Sequence, residues 1–456
     1  MMSKVKPYPS YSDFNQEWLG ELPSHWKVMR TKLLFNLITE PAPIGNSEEL
    51  LSVYTALGVK PRKDLEARGN KASSTDNYWR VEKGDIIVNK LLAWMGAVGI
   101  SEYNGVTSPA YDILRANGDV NPYFYNYLFR NPIASREFKR HSRGIMDMRL
   151  RLYFTRFGDI KLPQPPLEEQ NKIVDYLQFK QKKIDRFIRK KKQLIKLLNE
   201  QKAGIINHAV TKGLDPNAKM KPSGIEWLGD IPEHWELVKN KYIHKISMGQ
   251  SPSSDDYNFV GKGEPFLQGN AQFGKLNPIP KTWCENANKI CLENDILLSV
   301  RAPIGAVNIA NQKFGIGRGL SSISCDSNLM YWFYQFSILK DSLNSIGTGS
   351  TYFAISIDDV KNIYLVNPPN EEKMEISEYI SEEIRKMDET ITIIEKEIAL
   401  VEEYKTALIA EAVTGKIDVR KFEIPETLEV KSYEELEEEL SMVAEDEAEY
   451  EMLDEN

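Results

Sequence analysis

Bond-making chemistry in this chain would have to come from its five histidines, its three cysteines or its glycine- and proline-rich motifs. A histidine acting as a base needs a nucleophile within reach. His25, His141, His208, His234 and His244 are scattered; His25 and His234 share a motif, but neither has a candidate nucleophile beside it. Cys284, Cys291 and Cys325 make no Cys-x-x-Cys pair and no even set for disulfides, which predicts reduced thiols and a cytoplasmic location. The sequence lacks the His and Cys clusters that zinc requires, so no metal site is expected. "FGIGRG" (314–319) has the glycines of a loop that could cradle a cofactor, but only "LSSIS" and Cys325 separate it from Asp326. That is too short for the crossover helix such a loop needs, so a glycine-rich turn is expected.

"NPPN" (367–370) resembles the NPPY-type motif of amino-methyltransferases, which holds the amino group of an extruded base while an aromatic stacks on it. Here the aromatic is missing, and the matching stretch earlier in the chain is "QPPL". Both read as helix entries, because proline is tolerated at a first helical turn. No intrinsic catalytic set remains.

The elements around these motifs occur twice. "EWLGELPSHWKV" (17–28) returns as "EWLGDIPEHWEL" (226–237). "KGDIIVNKLLAWMGAVGI" (83–100) matches "ENDILLSVRAPIGAVNIA" (293–310), and "QPPLEEQNKIV" (164–174) matches "NPPNEEKMEIS" (367–377). "EQKAGIINHAVTKGLD" (200–215) matches "EYKTALIAEAVTGKID" (403–418). A period near 200 residues is a duplicated domain rather than a solenoid. The expected fold class is α+β: two globular domains, 15–163 and 224–367, each followed by a long helical spacer, 164–214 and 368–416, with a C-terminal tail, 417–456. Runs such as "GDIIV" and "NDILLSV" read as strands, and "NPYFYNYLFRN" and "NLMYWFYQFSILKDSLN" as helices whose aromatics are core.

The spacers carry heptad seams. Leu177, Ile184, Lys191, Leu198 and Ile205 fall every seven residues beside Gln181, Ile188, Ile195, Lys202 and Ala209. In the second spacer Ile380, Met387, Ile394, Val401 and Leu408 recur beside Ile384, Ile391, Ile398, Lys405 and Ala412. The first is rich in Lys and Arg and the second in Glu, which favours pairing with each other, as an antiparallel intramolecular coiled coil with pseudo-two-fold symmetry, over self-pairing.

The net charge of -8 is unevenly spread. From Glu423 onward there are 15 acidic residues and one lysine, so the tail carries -14 and the remainder +6. A basic body suits a polyanionic partner. No stretch is long and apolar enough to span a membrane, and the start lacks the apolar run of a signal peptide.

Two diverged globular halves, two matching helices, the "WLG.(L/I)P.HW" start and the "PP.EE" junction together resemble the specificity subunit of type I restriction-modification systems, over nearly the whole chain to Val419. The resemblance implies a non-catalytic chain in which each globular half is a target-recognition domain reading one half of a split, asymmetric double-stranded DNA site. The helices would set the spacer and dock two modification (adenine methyltransferase) subunits, with restriction (motor-nuclease) subunits as a further partner class. S-adenosylmethionine, ATP and magnesium would belong to those partners, leaving no cofactor in this chain. Two rivals stand beside it: a stand-alone DNA adenine methyltransferase, and a coiled-coil scaffold with no DNA role.

For a DNA reader, phosphates call for cations and base edges for forked or planar donors. In the first half the candidates are Arg62, Lys63, Lys71, Ser73, Ser74, Lys90, Arg140, Arg143, Arg149 and Arg151, the last four in or beside the basic "HSRGIMDMRLRLYF". In the second half they are Gln268, Asn270, Gln272, Lys275, Arg301, Arg318, Ser350, Thr351 and Tyr352, a more neutral set. Trp18, Trp26, Trp227 and Trp235 of the repeated opening read as packing anchors at the domain–helix junction.

Overall fold

A computed structural model describes residues 6–64, 75–145, 149–253, 256–346 and 354–424. Lys71, Ser73, Ser74, Ser350, Thr351, Tyr352 and residues 425–456 of the acidic tail lie outside these segments. The chain forms two units, one from Met1–Arg189 with Ile398–Asn456, the other from Lys190–Glu397.

In the first unit four strands, β1 (Phe35–Ile38), β2 (Ile86–Asn89), β3 (Val98–Ile100) and β4 (Tyr111–Ala116), form a sheet in the order β1-β4-β2-β3, with the paired strands antiparallel. The run "IIV" is apolar at every position because β2 buries both faces. Ile86 and Val88 face the main core, whereas Ile87 packs with Leu51, Val53, Val59 and Val81 in a second, smaller one. The aromatic helix α1 (Pro122–Phe129) starts at Asn121, whose side chain accepts from the Tyr123 amide; α2 (Pro132–His141) starts likewise at Asn131. Phe124, Tyr125, Leu128 and Phe129 of α1 are buried, and the Tyr125 hydroxyl donates to the carbonyl of Pro163.

The second unit repeats the plan. Strands β5 (Lys245–Met248), β7 (Ile296–Ser299), β8 (Val307–Ile309) and β10 (Leu320–Ser324) lie in the order β5-β10-β7-β8. Strands β6 (Glu264–Leu267) and β9 (Phe314–Ile316) pair in parallel within a second, five-stranded sheet. Ile296 and Leu298 face the helices, and Leu297 packs with Leu267, Phe314 and Ile316 on the other side. Helix α4 (Leu329–Ser337) buries Tyr331, whose hydroxyl donates to the Val366 carbonyl as Tyr125 does to Pro163.

The long helices are α3 (Leu167–Lys212) and α5 (Asn370–Val413), roughly 69 and 66 Å at ~1.5 Å per residue. They pair antiparallel in both units. In the first, Leu177, Ile184 and Ile188 share a core with Leu408, Ala412 and Val413, and Asp185 accepts from Lys405 at 2.7 Å. In the second, Lys191 meets Glu397 at 2.7 Å and Lys202 meets Asp388 at 2.5 Å, so numbering falls on one helix as it rises on the other. The lysines of the predicted seams, Lys191, Lys202 and Lys405, are therefore residues that ion-pair across them. Two further lysines of the run, Lys180 and Lys183, lie over the rings of Tyr176 and Phe179. Among the described residues no helix is long and apolar enough to cross a membrane.

Candidate nucleic-acid interface

The repeated opening motif is a clamp that seats each sheet on the helices. In the first unit the buried Glu169, on the first turn of α3, accepts from the Trp26 indole at 2.8 Å and from the Tyr8 hydroxyl, and sits 2.8 Å from His25 Nε2. In the second unit Glu372, on the first turn of α5, accepts from Trp235 at 2.8 Å and lies 2.7 Å from His234 Nε2. A carboxylate at a helix N-terminus is also favoured by the helix dipole. The opposite helix reaches the same tryptophan with its end. Gly415, just past α5, lies against Pro23 and Trp26, and Gly213, just past α3, lies against Trp235. Both have positive φ, +69° and +78°, and a Cβ at Gly213 would sit 3.1 Å from the indole, so glycine is required on two counts. Trp26 and Trp235 are buried anchors as the sequence suggests, whereas Trp227 is largely exposed. "NPPN" supplies strand pairing through Asn367 opposite Glu236 and a helix entry through Pro369, whose carbonyl accepts from the Lys373 amide.

With His25 and His234 committed to the junction, the outward-facing polar groups define what each unit can bind. In the first unit α2 ends in Lys139, Arg140 and His141, cations suited to a helix C-terminus. At the two ends of the loop after α2, Arg143 and Arg151 exchange backbone hydrogen bonds of 3.0 and 2.9 Å. Arg143, Arg149, Arg151 and Arg156 are exposed, and among the described residues none of the four has an ion-pair partner. Arg140 lies 3.8 Å from Glu137 and 4.0 Å from Glu17. Arg140, Arg143 and Arg156 line a polar cavity of about 590 Å³ with Asn15, Trp18 and the carboxylates Glu17 and Glu137. This surface can attract phosphates through Arg143, Arg149 and Arg151, since exposed guanidiniums with no ion-pair partner keep their field for a ligand.

The other candidates of the first unit lie apart from that loop. Lys90 is turned inward: its Nζ is 3.2 Å from Asp112 and donates to the Pro109 carbonyl at 3.0 Å. Burial pushes the Asp112 carboxyl above its usual range while Lys90 pulls it back, so this lysine acts as the counter-ion of a half-desolvated acid. Arg62 and Lys63 sit on a short turn after the Leu51–Tyr54 and Gly58–Pro61 hairpin, with Lys63 paired to Glu49.

In the second unit two candidates meet. Gln268 donates to Ser251 Oγ at 2.8 Å and accepts from the Tyr257 hydroxyl at 3.3 Å, while Arg318 donates to the same Ser251 oxygen through its backbone amide at 3.3 Å and its Nε at 3.2 Å. "FGIGRG" is thus β9 and a turn leading straight into β10, with no helix after it. Lys275 is drawn to the helices instead, 2.8 Å from Asp388, which also holds Lys202. Although burial works against it, the hydrogen bonds from the two lysines hold the Asp388 carboxyl below its usual value. Gln272 braces its own turn by accepting from the Lys281 amide, Asn270 opens that turn, and Arg301 is exposed beside a bridge to Ala354. Among the described residues no group of His, Cys, Asp and Glu could hold a metal ion.

Residues 23–199 and 232–403 each match the family described as the type I restriction modification DNA specificity domain. The chain belongs to this family. It is 30% identical over 428 residues to a Methanocaldococcus jannaschii protein assigned as the specificity subunit of a type I restriction enzyme, MjaX, covering 90% of this chain and 97% of that one. The MjaVIII specificity subunit of the same organism is 25% identical over 428 residues, covering 88% and 94%. In fold, the chain is similar to one in a structure of type I R-M complex assembly and conformational transition, with TM-score 0.68 and 23% identity over 87% of this chain and 99% of that one. The HsdS subunit from Thermoanaerobacter tengcongensis gives TM-score 0.50 and 22% identity, covering 87% and 98%.

As a type I specificity chain the protein carries DNA-recognition domains rather than a catalytic centre. Several of the residues that shape this specificity chain escape sequence reading. Arg156 could have been included, since it continues the basic run that ends at Arg151. Ser251 and Tyr257 carry no local signal; only the fold brings them to Gln268 and Arg318.

Proposed function

We propose that each unit reads one half of a bipartite, asymmetric site on double-stranded DNA, with 15–163 and 224–367 as the recognition domains and the helical spacers 164–214 and 368–416 measuring the unread bases between them. The paired helices then dock two modification subunits, which bind S-adenosylmethionine and methylate adenine, and restriction subunits supply ATP- and magnesium-dependent cleavage, all in the cytoplasm. The chain itself binds no cofactor. The observation that carries this reading is one frame bearing two unlike surfaces. The Trp–Glu–Gly clamp is the same in both units, while the outward groups are bare arginines in the first and a Ser251, Gln268 and Arg318 cluster in the second. A homogeneous surface on both units would suit a palindrome; unlike surfaces suit unlike half-sites.

Methylome sequencing with and without this gene, with active modification subunits present, tests the proposal. Loss of methyladenine at one split motif is expected, and an unchanged methylome would reject it. Replacing 15–163 by another family member's domain should change one half of the motif only. Methylation by the isolated chain would favour the stand-alone enzyme instead.

A further inference from the structure

The Gly-Arg-Gly of the β9–β10 turn has a geometry that the general reading of the second unit does not use. Gly317 and Gly319 are buried, and Arg318 between them is exposed. A Cβ on Gly317 would lie 2.7 Å from the Gln268 amide oxygen, and one on Gly319 2.7 Å from the Gln268 carbonyl, so the turn is pressed against the end of β6. The flanking amides are anchored there, Gly317 to the Leu267 carbonyl at 2.8 Å and Gly319 to that of Gln268 at 3.2 Å. The Arg318 amide and Nε both donate to Ser251, and Ser251 is itself held by Gln268. Backbone and side chain are thus fixed as far as Nε, while among the described residues no carboxylate pairs with the terminal nitrogens.

Several other arginines are consumed by the fold. Arg115 is held by Asp85 at 2.9 and 2.8 Å, and Arg130 donates to the carbonyls of Val98, Thr55 and Ala56. On α5, Arg385 is taken by Glu382 and Glu389. Arg318 is held by a neutral hydroxyl, which orients the guanidinium plane without neutralising it. Two parallel terminal N–H groups on a fixed plane match O6 and N7 of guanine in the major groove, a fit that a lysine point charge cannot reproduce. The matching stretch of the first half, "YNGVTSPA", has no arginine, so the device belongs to one half-site only.

We infer that Arg318 reads a guanine in the half-site of the second unit, with Ser251 as its positioning residue. The inference rests on the proposed DNA-reading role, and the experiment separates the two. The specificity chain is expressed with its modification subunits, and methylated motifs are sequenced for wild type, Arg318→Ala, Arg318→Lys and Ser251→Ala. A wild-type methylome without a split motif would sink the proposed function and this inference with it. Given a split motif, Arg318→Ala and Arg318→Lys should each lower discrimination at a single G·C position of one half by about 10- to 100-fold, and leave the other half intact as an internal control of folding. Ser251→Ala should relax the same position less. An unchanged motif in Arg318→Ala, relaxation at an A·T position, or a uniform loss of methylation restored by lysine, which would mark a phosphate contact, overturns the inference.

Discussion

Replacing Glu169 by alanine should damage the first unit far more than replacing Glu372 damages the second. Glu169 is 5% exposed and serves Tyr8, 3% exposed, and Trp26, 2% exposed. Burial, with help from Glu169, holds the Tyr8 phenol well above its ordinary range, so it stays a donor throughout the working pH range. Truncation leaves both donors dry, at about 1–3 kcal/mol each, while the side chain of His25, 39% exposed, can turn to water. The expected loss is about 2–6 kcal/mol. At Glu372 no tyrosine donates among the described residues, so only the Trp235 indole, 1% exposed, is left dry, while the carboxylate and His234 side chains are 34% and 53% exposed and open to water, and about 1–3 kcal/mol is expected. Thermal unfolding of the two variants should show falls of roughly 4–24 °C and 2–12 °C, at about 2–4 °C per kcal/mol for units of this size. Equal losses, a reversed order, or Glu169→Ala within 1 °C of wild type would refute the view that desolvated donors, rather than the mere presence of the carboxylate, set the strength of the clamp.

Alanine at Arg143, Arg149 or Arg151 should weaken binding to all DNA sequences alike and reduce the dependence of log affinity on log salt by about 1 each, which titration at several salt concentrations reads directly. His244 is buried against Trp332 and Phe336 with no partner at Nε2 among the described residues, and burial, then Lys373, lower its pKa to about 4. Its stabilising contribution is therefore complete above the unfolded value of 6.5 and is lost as pH falls toward 4, amounting to ~2 kcal/mol at pH 5; denaturant unfolding at pH 7 and 5 should show this loss in wild type and not in His244→Gln. Asp388→Ala strands Lys202, whose side chain is only 18% exposed, and should cost about 1–3 kcal/mol, whereas Lys275→Ala, at 76% exposed, should cost under ~1 kcal/mol in the same assay.

The duplication was fully legible because each repeated residue type meets the same physical need in both halves. Trp needs an acceptor, Glu supplies it, and Gly makes room. The helix seams were legible as periodicity, and even the lysines interrupting them proved to be cross-helix ion pairs. The surface residues were less legible. Lys90 and Arg143 are equivalent as letters, yet one neutralises Asp112 and the other faces solvent, because only the fold decides which cation meets a carboxylate. Lys275 meets a carboxylate for the same reason, its partner Asp388 lying more than 100 positions further on. The six candidates at Lys71, Ser73, Ser74, Ser350, Thr351 and Tyr352 fall outside the described residues and remain proposals.

The first unit is also where the chain meets itself. The Asp418 amide donates to the carbonyl of Lys6 at 2.8 Å, the Tyr11 hydroxyl donates to that of Gly415 at 3.0 Å, and the Arg420 guanidinium lies 5.0 Å over the Tyr8 ring. Each clamp takes its glutamate from its own repeat and its glycine from the other. Neither repeat alone therefore completes its own clamp. A gene encoding a single repeat would make a chain whose tryptophan lacks its glycine until a second copy brings one, so that halving the sequence would turn folding of this protein into dimerisation.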